Sequence, residues 1–156
     1  MAAGGGDGVI RGDGYAVAAL DDLGEGYGFR KVRRGLDVTA FGVNAIVLPP
    51  GWETGGHYHD EQEELYFVHR GEIEMSFGDG ASHRLADGGF ARVDPRTVRS
   101  VRNVGGGEAV YVVVGGKDGY VGRDGHLPDG EDPDGRAFPT PGGPADPGGP
   151  PADSGP

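Results

Sequence analysis

The chain has 156 residues, 25 acidic and 14 basic, for a formal net charge of −11. That balance disfavours a nucleic-acid partner, which needs a basic surface to displace condensed counterions. Cysteine is absent, which excludes disulfides, thiolate ligands and a cysteine nucleophile, and leaves nitrogen and oxygen as the donors for any metal. Met1–Asp7 has no basic n-region and no apolar h-region, and the longest apolar run, Ala109–Val114, is too short to cross a bilayer. A cytoplasmic chain with no membrane contact is the expectation.

The 34 glycines and 12 prolines are unevenly spread. Their distribution predicts a Gly-rich disordered tail over 1–14, one folded domain over 15–122, and a disordered acidic tail rich in Pro, Gly and Asp over 123–156. Within the centre, Tyr15–Leu20 reads as a short strand and Asp21–Gly28 as turn chemistry. Phe29–Arg34 is basic and alternates weakly, as a charged edge strand does, though such a strip could also hold an anion. Val38–Leu48 is a long strand ended by Pro49-Pro50-Gly51. Leu65–Val68 follows the histidine stretch discussed below. Glu72–Phe77 alternates cleanly, with Ile73, Met75 and Phe77 on the core side. Gly78-Asp79-Gly80 is a hairpin signal, with Ser82–Leu85 as the returning strand. Phe90–Val93 comes next, and Val98–Val104 and Ala109–Val114 are expected to pair around Gly105–Gly107. Many short strands between regularly spaced turns, with no stretch of 3.6-residue period, predict an all-β sandwich or barrel.

Chemistry is concentrated between Gly51 and Gly71. On a strand, residues i and i+2 share a face roughly 6.5–7 Å apart, so His57 and His59 can converge while Tyr58 faces away. Glu64 follows after room for a turn at Asp60–Gln62. Two imidazoles and a carboxylate are the ligand set of open-sided divalent transition-metal sites, so His57, His59 and Glu64 are the predicted ligands of one iron, manganese, nickel or zinc ion. Glu63 turns outward by alternation. Tyr66 shares the parity of Glu64 and could line the pocket, with a plain core tyrosine as the alternative. His69 has the opposite parity, and neither His83 nor His126, which falls in the tail, is chosen as a ligand. Asn44 reads as either a pocket residue or a hydrogen-bonded core asparagine.

Gly51, His57, His59, Glu64 and Gly71 meet every term of the first motif of the cupin superfamily, which the stretch from Val38 to Gly115 resembles. The resemblance implies a double-stranded β-helix, or jelly-roll, barrel. In the family's second motif Gly88 and Asn103 fit, but Asp94 stands where proline is expected, Arg96 replaces glycine, and Arg99 takes the position of the fourth metal ligand, a histidine. Arginine has no lone pair to offer. At about 5 Å its charge would repel a divalent ion by roughly several kcal/mol at an effective dielectric of 20. Two arrangements avoid this: Arg99 turns its fork toward an anionic ligand at an open-sided metal, or Arg99 pairs with Glu64 and no metal binds. Arg99, by its charge, and Tyr66, by its parity, are the residues expected to hold a small, anionic organic ligand. The resemblance further implies a homodimer, with dioxygenase, isomerase and decarboxylase as the enzyme classes to weigh. No catalytic residue is assigned. A non-catalytic ligand-binding or sensory barrel is the competing reading, and a barrel serving only for dimerisation is a third.

Overall fold

A computed structural model describes residues 8–128. Most of the expected acidic tail and the first seven residues lie outside the described residues. Twelve strands are described: β1 (Ile10–Gly12), β2 (Tyr15–Val17), β3 (Gly28–Arg30), β4 (Gly42–Leu48), β5 (Tyr58–His59), β6 (Glu63–Arg70), β7 (Ile73–Phe77), β8 (Ser82–Leu85), β9 (Phe90–Val93), β10 (Arg99–Asn103), β11 (Ala109–Gly116) and β12 (Gly125–His126). A 3-10 turn, Leu20–Leu23, and one short helix, α1 (Val32–Gly35), complete the list. None of the described helices is long and apolar enough to cross a membrane.

Five strands form one antiparallel sheet in the order β3-β4-β11-β6-β9, and three form a second in the order β10-β7-β8. Alternation puts Ile46, Leu48, Tyr66, Val68, Val93, Tyr111 and Val113 of the first sheet against Ile73, Met75 and Val101 of the second. This is the all-β architecture expected from the strand pattern, and the jelly roll that the resemblance implied. β4 is buried at all seven positions, because its second face, with Val43, Ala45 and Val47, is also covered. Helix α1 lies against that strand.

Four local readings change. Val98–Val104 and Ala109–Val114 do not pair with each other: β10 joins β7, whereas β11 joins β4 and β6. The intervening Gly-rich turn crosses between sheets. Asn103 holds it there, donating from Nδ2 to the carbonyls of Leu48 and Gly107, both at 2.8 Å, and accepting from the Gly105 N–H at 2.9 Å. Phe29–Arg34 is only half strand; the chain turns into α1 after Arg30, and the Arg33 guanidinium stacks 4.0 Å from the Tyr120 ring. In the stretch expected as an N-terminal tail, β1 pairs with β2 in a hairpin, and Arg11 bonds to Asp37 and to the Gly35 carbonyl. Beyond residue 122, β12 returns to pair with β5.

The two outer glycines of the histidine motif have backbone reasons to be glycine. Gly51 turns the chain out of β4 at φ +80°. Gly71 has φ +91°, and a Cβ there would meet the Ala109 Cα and the Glu108 carbonyl at 2.9 Å, so neither the conformation nor the space admits a side chain.

Candidate metal centre

The segment entering β5 runs along the free edge of β10. His57 exchanges backbone hydrogen bonds with Arg99, 2.9 Å and 3.0 Å, and Thr54 donates to the Val101 carbonyl at 2.8 Å. Directly paired antiparallel residues share a face, so this register brings His57 and Arg99 to the same end of the barrel interior. His59 is held by its N–H on the Pro95 carbonyl, 2.8 Å. Glu64 arrives on β6, with the inward parity of Tyr66 and Val68 and with Val93 and Gly115 as its cross-strand neighbours.

One ligand atom each from His57, His59 and Glu64 lies within 4.8 Å of the others. His57 Nε2 is 3.6 Å from Glu64 Oε1, and His59 Nε2 touches the same oxygen. Both ring nitrogens are buried, and neither has a hydrogen-bond partner. Such an orphaned polar atom is costly in a protein interior. Two of them aimed at one carboxylate oxygen suit a small cation with lone-pair acceptor sites, so the residues present fit a divalent transition metal.

Arg99 occupies the corner opposite. It is fully buried, and its Nη2 donates to Glu64 Oε1 at 2.6 Å. Nη1 donates to the carbonyls of Pro95 and Thr97 at 3.0 and 2.7 Å, and Nε to the Tyr66 hydroxyl at 3.3 Å. Four of the five guanidinium N–H groups are thus spent inside the protein. Burial alone would raise the Glu64 carboxyl, but the His57 and His59 imidazoles and the Arg99 guanidinium gathered around it hold it well below the usual carboxylate range. Burial pushes the Tyr66 phenol far up, so it stays protonated.

Burial also lowers His57 below its ordinary 6.5, against the pull of Glu64. Between the two values the unfolded chain binds the proton better, so acid favours unfolding. The metal-free protein should therefore hold this contribution in full above pH 6.5 and lose it below. The Glu64 contribution is separate, present above its ordinary 4.5 and lost only in stronger acid. Melting temperature against pH checks this: His57→Gln should flatten the curve just below 6.5, and superimposable curves would contradict a buried neutral His57.

The predicted residues are thus distributed plainly. His57, His59, Glu64, Arg99 and Tyr66 come together at one end of the barrel, while Glu63, His69 and His83 are exposed. His126 stacks on Tyr58 and bonds to Asp60 at 2.6 Å, outside the ligand group. Two buried residues were not anticipated. Asp124 lies 2.9 Å from His59 Nδ1, and Gln62 Nε2 donates to Asp124 Oδ1 at 2.7 Å. The Asp124 carboxylate also accepts the backbone N–H groups of Glu61 and Gln62, both at 3.0 Å. Burial would raise it, yet those bonds and the nearby His59 bring it below its ordinary value.

Residues 45–115 match the family model described as a cupin domain, which places that stretch of the chain in the cupin superfamily. No curated protein matches the chain. Solved structures share the fold. A cupin protein from Bacteroides fragilis has a TM-score of 0.57 at 20% identity, over 67% of this chain and 85% of that one. A sugar phosphate isomerase of the cupin superfamily from Silicibacter pomeroyi has 0.55 at 22%, over 75% and 67%. A double-stranded β-helix protein from Klebsiella pneumoniae has 0.57 at 23%, over 65% and 90%.

Proposed function

We propose that this cupin binds one divalent transition metal through His57 Nε2, His59 Nε2 and the Glu64 carboxylate, and presents it to a small anionic organic molecule. The observation that carries the reading is the pair of buried imidazole nitrogens, both without a hydrogen-bond partner and both directed at Glu64. Iron, manganese, nickel and zinc all suit this donor set. Such an ion supplies a Lewis-acid or redox centre for a ligand oxygen.

The protein's own residues shape what can approach. The His57 side chain is 17% exposed whereas those of His59 and Glu64 are 1%, so access is from the His57 side. Arg99 holds Glu64 at one oxygen and cancels its charge. The protein therefore leaves the ion's positive charge largely uncompensated, which favours an anionic partner. With one N–H to spare, Arg99 acts mainly by setting this charge balance and fixing the carboxylate. Tyr66 supports Arg99 from behind.

A second reading is favoured by the 2.6 Å Arg99–Glu64 pair itself: a metal-free barrel in which that ion pair closes the site and ligand binding involves no turnover. Metal content separates the two. Tag-free protein incubated with iron(II), manganese(II), nickel(II) or zinc(II) and then dialysed should retain one ion per chain of at least one of them. Retention of none would leave the metal-free reading standing.

A further inference from the structure

We propose that Asp124 is the positioning residue of this metal centre, holding the His59 ring in the tautomer that leaves Nε2 bare for the ion. The inference rests on the metal reading above, and it extends the site beyond the family-matched residues 45–115 into the stretch that follows β11.

His59 Nδ1 faces two groups, Asp124 Oδ1 at 2.9 Å and Gln62 Nε2 at 2.8 Å, and the two call for opposite tautomers. A proton on Nδ1 makes a charge-assisted bond to the carboxylate, roughly twice as strong as a neutral one. A proton on Nε2 would set the Nδ1 lone pair against a carboxylate oxygen, and Nε2 itself meets only the Glu64 oxygen that Arg99 already holds, outside hydrogen-bond geometry. Gln62 Nε2 donates one N–H to Asp124 Oδ1 at 2.7 Å, and its second N–H offers a bare Nδ1 only a neutral hydrogen bond, weaker than the charge-assisted one to the carboxylate. The flipped amide would put oxygen against oxygen. Carboxylate-backed histidines are a general device of metal sites, raising ligand basicity and fixing ring orientation.

Asp124 is well anchored for this role. Its carbonyl accepts the Asp60 N–H at 3.1 Å, its Oδ2 accepts two backbone N–H groups, and the next residue, Gly125, pairs with His59 in the β5–β12 ribbon. The carboxylate thereby ties the 60–62 turn to the ring it orients.

The test uses the full chain. In metal-free protein with 15N-labelled histidine, long-range 15N–1H correlations should find His59 protonated at Nδ1. Asp124→Asn should reverse this, because the two backbone donors claim the single remaining oxygen and turn the amide N–H toward the ring. Zinc(II) affinity, measured by competition with a chelator, should fall by roughly 10–100-fold in that variant. Gln62→Ala, which leaves the carboxylate in place, should keep the wild-type tautomer and bind zinc(II) within about 3-fold, and it serves if Asp124→Asn does not fold. Wild-type His59 protonated at Nε2, unchanged affinity in Asp124→Asn, or the tautomer switching in Gln62→Ala would each overturn the role given to Asp124. Wild-type protein that binds no zinc(II) or other divalent ion would instead overturn the metal reading, whatever the tautomer.

Discussion

Replacing His59 by alanine is expected to strip the site of its metal, weakening zinc(II) binding by roughly 100-fold or more. Loss of a group that merely backs a ligand costs about 10–100-fold, so loss of a ligand from a set of three costs at least as much. His59 is also the most enclosed of the imidazoles, at 1% exposure, with Glu64 on one side of its ring and Asp124 on the other. No side chain nearby can move in as a substitute, since Gln62 and Arg99 are committed to carboxylates. His57→Ala should lose affinity too, and both variants are to be checked for native β-structure by circular dichroism. Either variant holding metal as tightly as wild type would remove that histidine from the ligand set.

The second large effect is an asymmetry between the two halves of the buried ion pair. Arg99→Met leaves the Glu64 carboxylate in the interior without its cation, which should cost the metal-free protein about 3–5 kcal/mol in urea unfolding. Glu64→Gln leaves the Arg99 guanidinium uncompensated and should cost a similar amount. Zinc(II) distinguishes them. In Arg99→Met the ion supplies the missing positive charge and should restore much of the loss, with a larger stabilisation than in wild type. In Glu64→Gln the ion has lost a ligand and meets an unopposed cation, so zinc(II) should restore little. Equal responses of the two variants would mean that Arg99 and the ion do not share Glu64.

The barrel was legible because its signals are local. Ile73 and Met75 alternate with charged residues, Gly78–Gly80 punctuates the hairpin, and Ser82–Leu85 and Phe90–Val93 are strands over the predicted spans. The histidine pair was legible for the same reason: period two on a strand needs no knowledge of the rest of the molecule. Arg99 could be placed by motif spacing, but its choice between an anionic ligand and Glu64 depends on where the Pro95 and Thr97 carbonyls lie, which spacing does not report. Asp124 was hidden more deeply. It sits 65 residues from His59, inside a tract whose Pro, Gly and Asp content reads as unstructured, and a lone aspartate there has no periodicity to mark it. The register of β12 on β5 is what brings it home.

That small ribbon also governs the order in which the molecule opens. β4 and β11 are bonded on both edges in mid-sheet, and release only when the sheets part. β12 is held by two residue pairs, Gly125 with His59 and His126 with Tyr58, so it can lift away at far lower cost than global unfolding. When it lifts, Asp124 leaves the back of His59 while the barrel stays intact. On the metal reading, exchange of the ion is expected to follow the opening of this two-residue ribbon, with amide exchange at Asp60 and Gln62 keeping time with it.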